Sequence, residues 1–147
     1  MSRFTNYDAN AVSLICLAIP VNDMRAPKGF VKITWPSDLF GETEGCDGGV
    51  ARYAIGSKLG VAEVTILDAS KHNQQFSALV GLDVTSQNGS GVGLFLLKDN
   101  NGATLIDADK CWIYKRPETT KGRETGERTW GFKFVVASQF QIIDGGN

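Results

Sequence analysis

The clearest pattern along the chain is a period of two. In Thr129–Ala137, Trp130, Phe132, Phe134 and Val136 fall on one side and Gly131, Lys133 and Val135 on the other. Strict alternation of this kind marks a strand with one face buried. Val61–Leu67 repeats it, with Ala62, Val64 and Ile66 opposite Glu63 and Thr65. So does Phe30–Trp35, where Val31, Ile33 and Trp35 oppose Lys32 and Thr34. Lys110–Lys115 sets Trp112 and Tyr114 against Cys111 and Ile113, and Val50–Ile55 is a further short strand. Leu94–Lys98 and Ala103–Ile106 flank an Asn-Gly type of turn at Asp99–Gly102, which predicts a hairpin. Ala11–Ile19 is apolar on both faces and is expected to be a strand covered on both sides. The loop Pro20–Gly29 then joins it to Phe30–Trp35 as an antiparallel hairpin.

One segment breaks the two-residue period. Behind Asp68 and Ser70, residue types that accept hydrogen bonds from free helix amides, Phe76, Leu79 and Val80 are spaced three and four apart. The spacing predicts a helix over about 71–82, with His72 leaning toward the same apolar stripe. Strands at regular intervals with one helix predict a mainly β domain: an antiparallel sandwich or partly closed barrel with the helix on its flank.

The segments without period are informative as loops. Residues 1–10 form a polar N-terminal arm, and residues 36–49 a long excursion with four glycines and the acidic Glu42, Glu44 and Asp47. Residues 116–128 form a second long loop, almost wholly polar, that carries Arg116, Arg123 and Arg128. Long loops in a small domain are often functional. The C-terminal tail holds Phe140, Ile142 and Ile143, too apolar for an idle end. The glycines at 89, 91 and 93 precede a strand rather than a helix, so they predict a flexible turn and not a phosphate loop.

The bulk numbers add limits. A length of 147 residues fits one domain, and 42% hydrophobic with 21% charged residues is ordinary for a soluble one. A net charge of −1 gives no general attraction to nucleic acid or membrane. The apolar run Val12–Val21 is too short to span a bilayer, which takes about 20 residues. The start MSRFTNYDAN lacks the basic, apolar and cleavage regions of a signal peptide. Three well-separated cysteines, Cys16, Cys46 and Cys111, are expected to be reduced thiols. His72 is the single histidine and is expected to pack or cap rather than act as a base. No nucleophile elbow, Cys-x-x-Cys pair or calcium-loop spacing occurs, so no enzyme, cofactor or metal role is expected.

Four stretches resemble the tail tube proteins of contractile-tailed bacteriophages. TILDAS running into KHNQQFSAL is similar to that family's central strand and helix. The opening FTNYDANAVSL, the run GCDGGVARYAIGSKLGVAEVTI and the pair DADKCWIYKRPE and RTWGFKFVVA are similar to its start, approach and close. The family's glycine-rich turn is replaced here by VNDMRAPKGFVKITW. The resemblance implies a virion protein, assembled in the bacterial cytoplasm, whose homohexameric rings stack into the tube inside a contractile tail. Implied partners are other copies of itself, the sheath, the tape-measure protein and then genomic DNA in the lumen, and baseplate and terminator proteins at the ends. Tubes of related contractile injection devices fit the same pattern, and a small monomeric β-sandwich binding module is the alternative outside it. Ring contacts are expected from Glu42, Glu44 and Asp47, from Arg116, Arg123 and Arg128, and from Phe140, Ile142 and Ile143.

Overall fold

The computed structural model describes residues 12–86, 89, 91–99 and 105–136. The arm 1–10 and the tail with Phe140, Ile142 and Ile143 lie outside the described residues. Ten elements follow in order: β1 Val12–Cys16, β2 Ile19–Pro20, β3 Val31–Thr34, β4 Phe40–Glu44, β5 Val50–Ala54, β6 Leu59–Leu67, α1 His72–Ser86, β7 Gly93–Asp99, β8 Leu105–Lys115 and β9 Glu127–Val136. The fold is mainly β, antiparallel, with one helix. Seven strands form one sheet in the order β2-β1-β7-β8-β9-β6-β3, and β4–β5 form a separate pair.

The two strongest alternations become the centre of the sheet. β6 pairs with β9 along nine positions, from Leu59↔Val135 to Leu67↔Glu127. Ala62, Val64, Ile66, Trp130, Phe132, Phe134 and Val136 all point into the core. The sheet curls around them. Phe95 of β7 and Phe134 of β9 are on strands two apart, about 9.6 Å in a flat sheet, yet their rings stack with centroids 4.8 Å apart. Gly60 is required at this spot, because a Cβ there would overlap the Phe134 ring.

The barrel is not closed. β2 and β3, the two end strands, are not paired with each other. Five residues of chain bridge the opening, from Pro20 of β2 to Arg25, which pairs with Ile66 of β6. Five residues reach at most about 18 Å, so the sheet ends lie near one another. The described part of the loop around Asn22–Ala26 runs along the β6 edge, with Leu67 N–H donating to Met24 O and Ala26 N–H to Thr65 O.

The first hairpin is not the expected one. β1 pairs with β2 and β7, while β3 pairs with β6. The chain reverses at Leu17 and Ala18, both at positive φ (56° and 65°). Non-glycine residues avoid this region at a cost of roughly 1–2 kcal/mol each, so nothing in the residue types announces the turn. Burial of Leu17 at 8% exposure and its N–H bond to Leu94 O offset that cost. β1 also has one open side: Leu14 and Cys16 are buried, Ser13 is exposed, and Val12 and Ile15 are half-buried.

The helix is longer than expected, running to Ser86. Its predicted stripe is the buried one: Phe76 meets Trp130 and Phe132 edge-on, at 5.5 and 5.3 Å, and Val80 and Leu79 join the core. Ser70 caps it, its Oγ accepting from His72 N–H at 3.3 Å. Asp68 does not. Its carboxylate instead accepts from Gly126 N–H and meets Arg128 at 3.8 Å. The expected short strands 103–106 and 110–115 are not separate: β8 runs unbroken from Leu105 to Lys115, with irregularities at Ala108–Lys110 and Ile113–Lys115, while residues 100–104 of the expected turn and strand lie outside the described residues.

Candidate functional site

The segment expected as a loop over 36–49 is half of a projecting hairpin. β4 and β5 pair from Phe40↔Ala54 to Glu44↔Val50, and the register continues to Leu39 through the Ile55 N–H···O=C bond of 3.0 Å. Turn Gly45–Gly49 closes the tip, with Asp47 Oδ1 accepting from Gly49 N–H at 3.0 Å. The sequence carries no alternation here because both faces are in solvent. Every residue of the two strands is exposed except Gly41, which lies beneath the Tyr53 ring. A Cβ on Gly41 would collide with that ring. Among the described residues the arm makes no extensive contact with any strand of the large sheet.

Opposed residues of an antiparallel pair share a face, so the arm has two different sides. One carries Leu39, Thr43, Ala51, Tyr53 and Ile55 and no charge. The other carries Phe40, Glu42, Glu44, Val50 and Arg52. Arg52 stands directly across from Glu42, yet its guanidinium lies over the Phe40 ring at 4.3 Å. Glu42, Glu44 and Asp47 are therefore brought together as expected, on one side and the tip of an arm. Leu39, Phe40, Val50, Tyr53 and Ile55 are exposed by 45–67%. Lone exposed apolar residues are common, but five on one two-stranded ribbon, an element that is marginal by itself in water, form a concentrated apolar surface.

The second expected group is divided. Arg116 and Arg123 are exposed in the loop, which ends before β9. Arg128 is a correction: it belongs to β9, is 6% exposed, and serves the interior. Its guanidinium donates to Thr120 O and Glu127 O, both at 2.9 Å, and faces Asp68. Asp68 is the partner that a sequence reading assigns to the helix cap. The pair ties the loop's base to the start of α1.

His72 packs and caps, as expected. It is buried, stacks on Phe76, and its Nε2 accepts from the Asn22 and Asp23 N–H groups at 3.2 and 3.3 Å. Nδ1–H donates to Gln75 Oε1 at 2.7 Å. Among the described residues no three His, Cys, Asp or Glu side chains converge as a metal site. Among the described residues no helix is long and apolar enough to cross a membrane.

All three cysteines are free; Cys16 and Cys111 are buried and Cys46 is exposed on the arm's turn. Burial, with Cys111 nearby, pushes the Cys16 thiol well above its ordinary 9.0, and burial pushes Cys111 up to about 12. A thiol reagent should thus modify Cys46 at once and the other two only on unfolding, followed by absorbance. Three fast thiols would contradict the buried placement. The folded state holds protons on Cys16 and Cys111 that the unfolded chain releases above pH 9.0. Stability from this source is flat below that pH and falls above it.

No protein-family model matches the chain, and no curated protein matches it significantly.

Proposed function

We propose that this chain is a self-assembling structural subunit whose rings stack into the tail tube of a contractile-tailed bacteriophage. The observation that carries the reading is the β4–β5 arm. Its five large apolar side chains are left 45–67% exposed among the described residues. Covering half-exposed side chains of this size contributes on the order of 1 kcal/mol each. Repetition around a closed ring turns such modest contacts into a stable assembly. The free edges of β2 and β3 add unpaired backbone groups that a neighbouring copy can satisfy. The sequence resemblance supplies the tube and the phage.

Negative-stain electron microscopy of the concentrated protein tests the proposal. Rings about one subunit thick, and tubes built from them, are expected. A particle that remains monomeric by sedimentation at every concentration, with no rings on the grid, refutes it.

A further inference from the structure

Among the described residues Glu42 and Glu44 make no ion pair within their own copy, and the outer face of the sheet offers a counterpart. Register places Lys133 of β9 beside Trp112 of β8 and Val61 of β6. The next row holds Lys115, Gly131, Glu63 and Lys32, and the row on the other side holds Lys110 beside Val135. Four lysines therefore share these three rows of the convex face with Glu63, while Glu127, paired with Leu67, and Asp107, paired with Leu96, lie on the same face at its margins. Lys32, Lys110 and Lys115 are exposed, and among the described residues none of the four is ion-paired. Tyr114 lies over this surface, 42% exposed, with the Lys133 ammonium 4.8 Å from its ring centre. Beside it a cleft of about 340 Å³ opens between Tyr114, Lys115, Arg116 and Thr129, and Glu63, Glu118 and Glu127 also line it.

We propose that the Phe40–Glu42–Glu44–Val50 side of the arm of one copy docks on this lysine and aromatic face of a second copy. The match is one of charge and of kind. Two carboxylates and the Asp47 tip meet four ammonium groups, while Phe40 and Val50 meet Trp112 and Tyr114. Arg52, turned onto Phe40, leaves Glu42 and Glu44 unneutralised for the partner. Among the described residues Glu42 and Glu44 make no ion pair with these lysines within one copy. Charge steers the encounter and fixes its register, and apolar cover holds it. Because arm and face lie on different parts of the subunit, the contact is head-to-tail and propagates from copy to copy. The inference rests on the self-assembly part of the proposed function and names which surfaces meet.

Charge reversal tests it in two variants, Glu42→Lys with Glu44→Lys, and Lys115→Glu with Lys133→Glu. All changes are on outward-facing side chains, and circular dichroism checks that each variant is folded. Sedimentation velocity at about 0.1 M salt, where screening is moderate, should show each variant self-associating at least tenfold more weakly than the parent. A mixture of the two should recover assembly, since each arm then meets a face of opposite sign. Recovery in the mixture supports the docking. Two weakened variants that stay apart when mixed overturn it, as does a lysine variant that assembles like the parent. If the parent assembles and only the docking fails, the proposed function stands; if the parent never assembles, both fall. A labelled oligo-dT strand serves as a third arm. Binding that is lost in the lysine variant while self-association persists makes this face a polyanion site instead, and the inference is wrong.

Discussion

Replacing residues 37–56 by Asn-Gly removes the arm, leaves the domain folded and abolishes assembly. Thr34 of β3 pairs with Val61 of β6, so the ends left by the excision, Pro36 and Ser57, lie two and four residues beyond a paired position. Asn-Gly, residues that favour turns, completes a short connection between the two strands. Trp35, which meets Phe134 edge-on at 5.6 Å, is kept, and so is Lys58, whose carbonyl accepts from Val136 N–H. The excised residues bury nothing in the core, so unfolding free energy should change by about 1 kcal/mol or less, as for other surface changes. The loss on the assembly side should be total, because the arm carries the apolar contact between copies on which the proposal rests. Thermal unfolding by circular dichroism reads the first quantity and electron microscopy the second. A truncated protein that still forms rings would show that the arm is not the contact between copies.

The second large effect is in the core. Phe76→Ala should cost about 3–5 kcal/mol, the range for emptying a buried aromatic site. Phe76 is wholly buried, packs α1 against Trp130 and Phe132 of β9, and stacks on His72 of its own helix. Few atoms nearby can fill the gap, since Trp130 is fixed by its Nε1–H bond to Asn73 Oδ1 at 3.0 Å. Domains of this size are stable by roughly 5–15 kcal/mol in total, so the variant loses much of its margin. Denaturant titration measures it. A loss below about 1 kcal/mol would mean that the helix rests on the sheet without a packed contact.

These two sites differ in how visible they are in the sequence, and the difference has a cause. Phe76, Leu79 and Val80 declare a helix face because a single side of α1 is buried, and β6 and β9 declare themselves for the same reason. The arm is a regular antiparallel ribbon, yet nothing in its residue order shows it. A ribbon wet on both sides has no need to alternate, so Glu42, Thr43 and Glu44 resemble a loop. β4 exists because Val50–Ala54 lies beside it, and that pairing is not a local property.

Arg128 and Asp68 fail for a related reason. Each sits in a polar stretch, one at the end of a charged loop and the other at a helix start. Their local chemistry permits a surface contact and a cap. Their use as an interior pair was decided sixty residues apart, where the β6 and β9 register brings Ile66 beside Arg128. The early hairpin went astray at Leu17 and Ala18, whose turn depends on the burial of Leu17 rather than on turn-forming residues. The sequence by itself thus determined what a single buried face imposes: the mainly β class, the central strands, one helix and the packing of His72. The tertiary structure alone decided what depends on distant partners: the strand order, the open barrel, the arm and the lysine face. Alternation records which side of an element leaves water, and it carries no information about which element lies beside it.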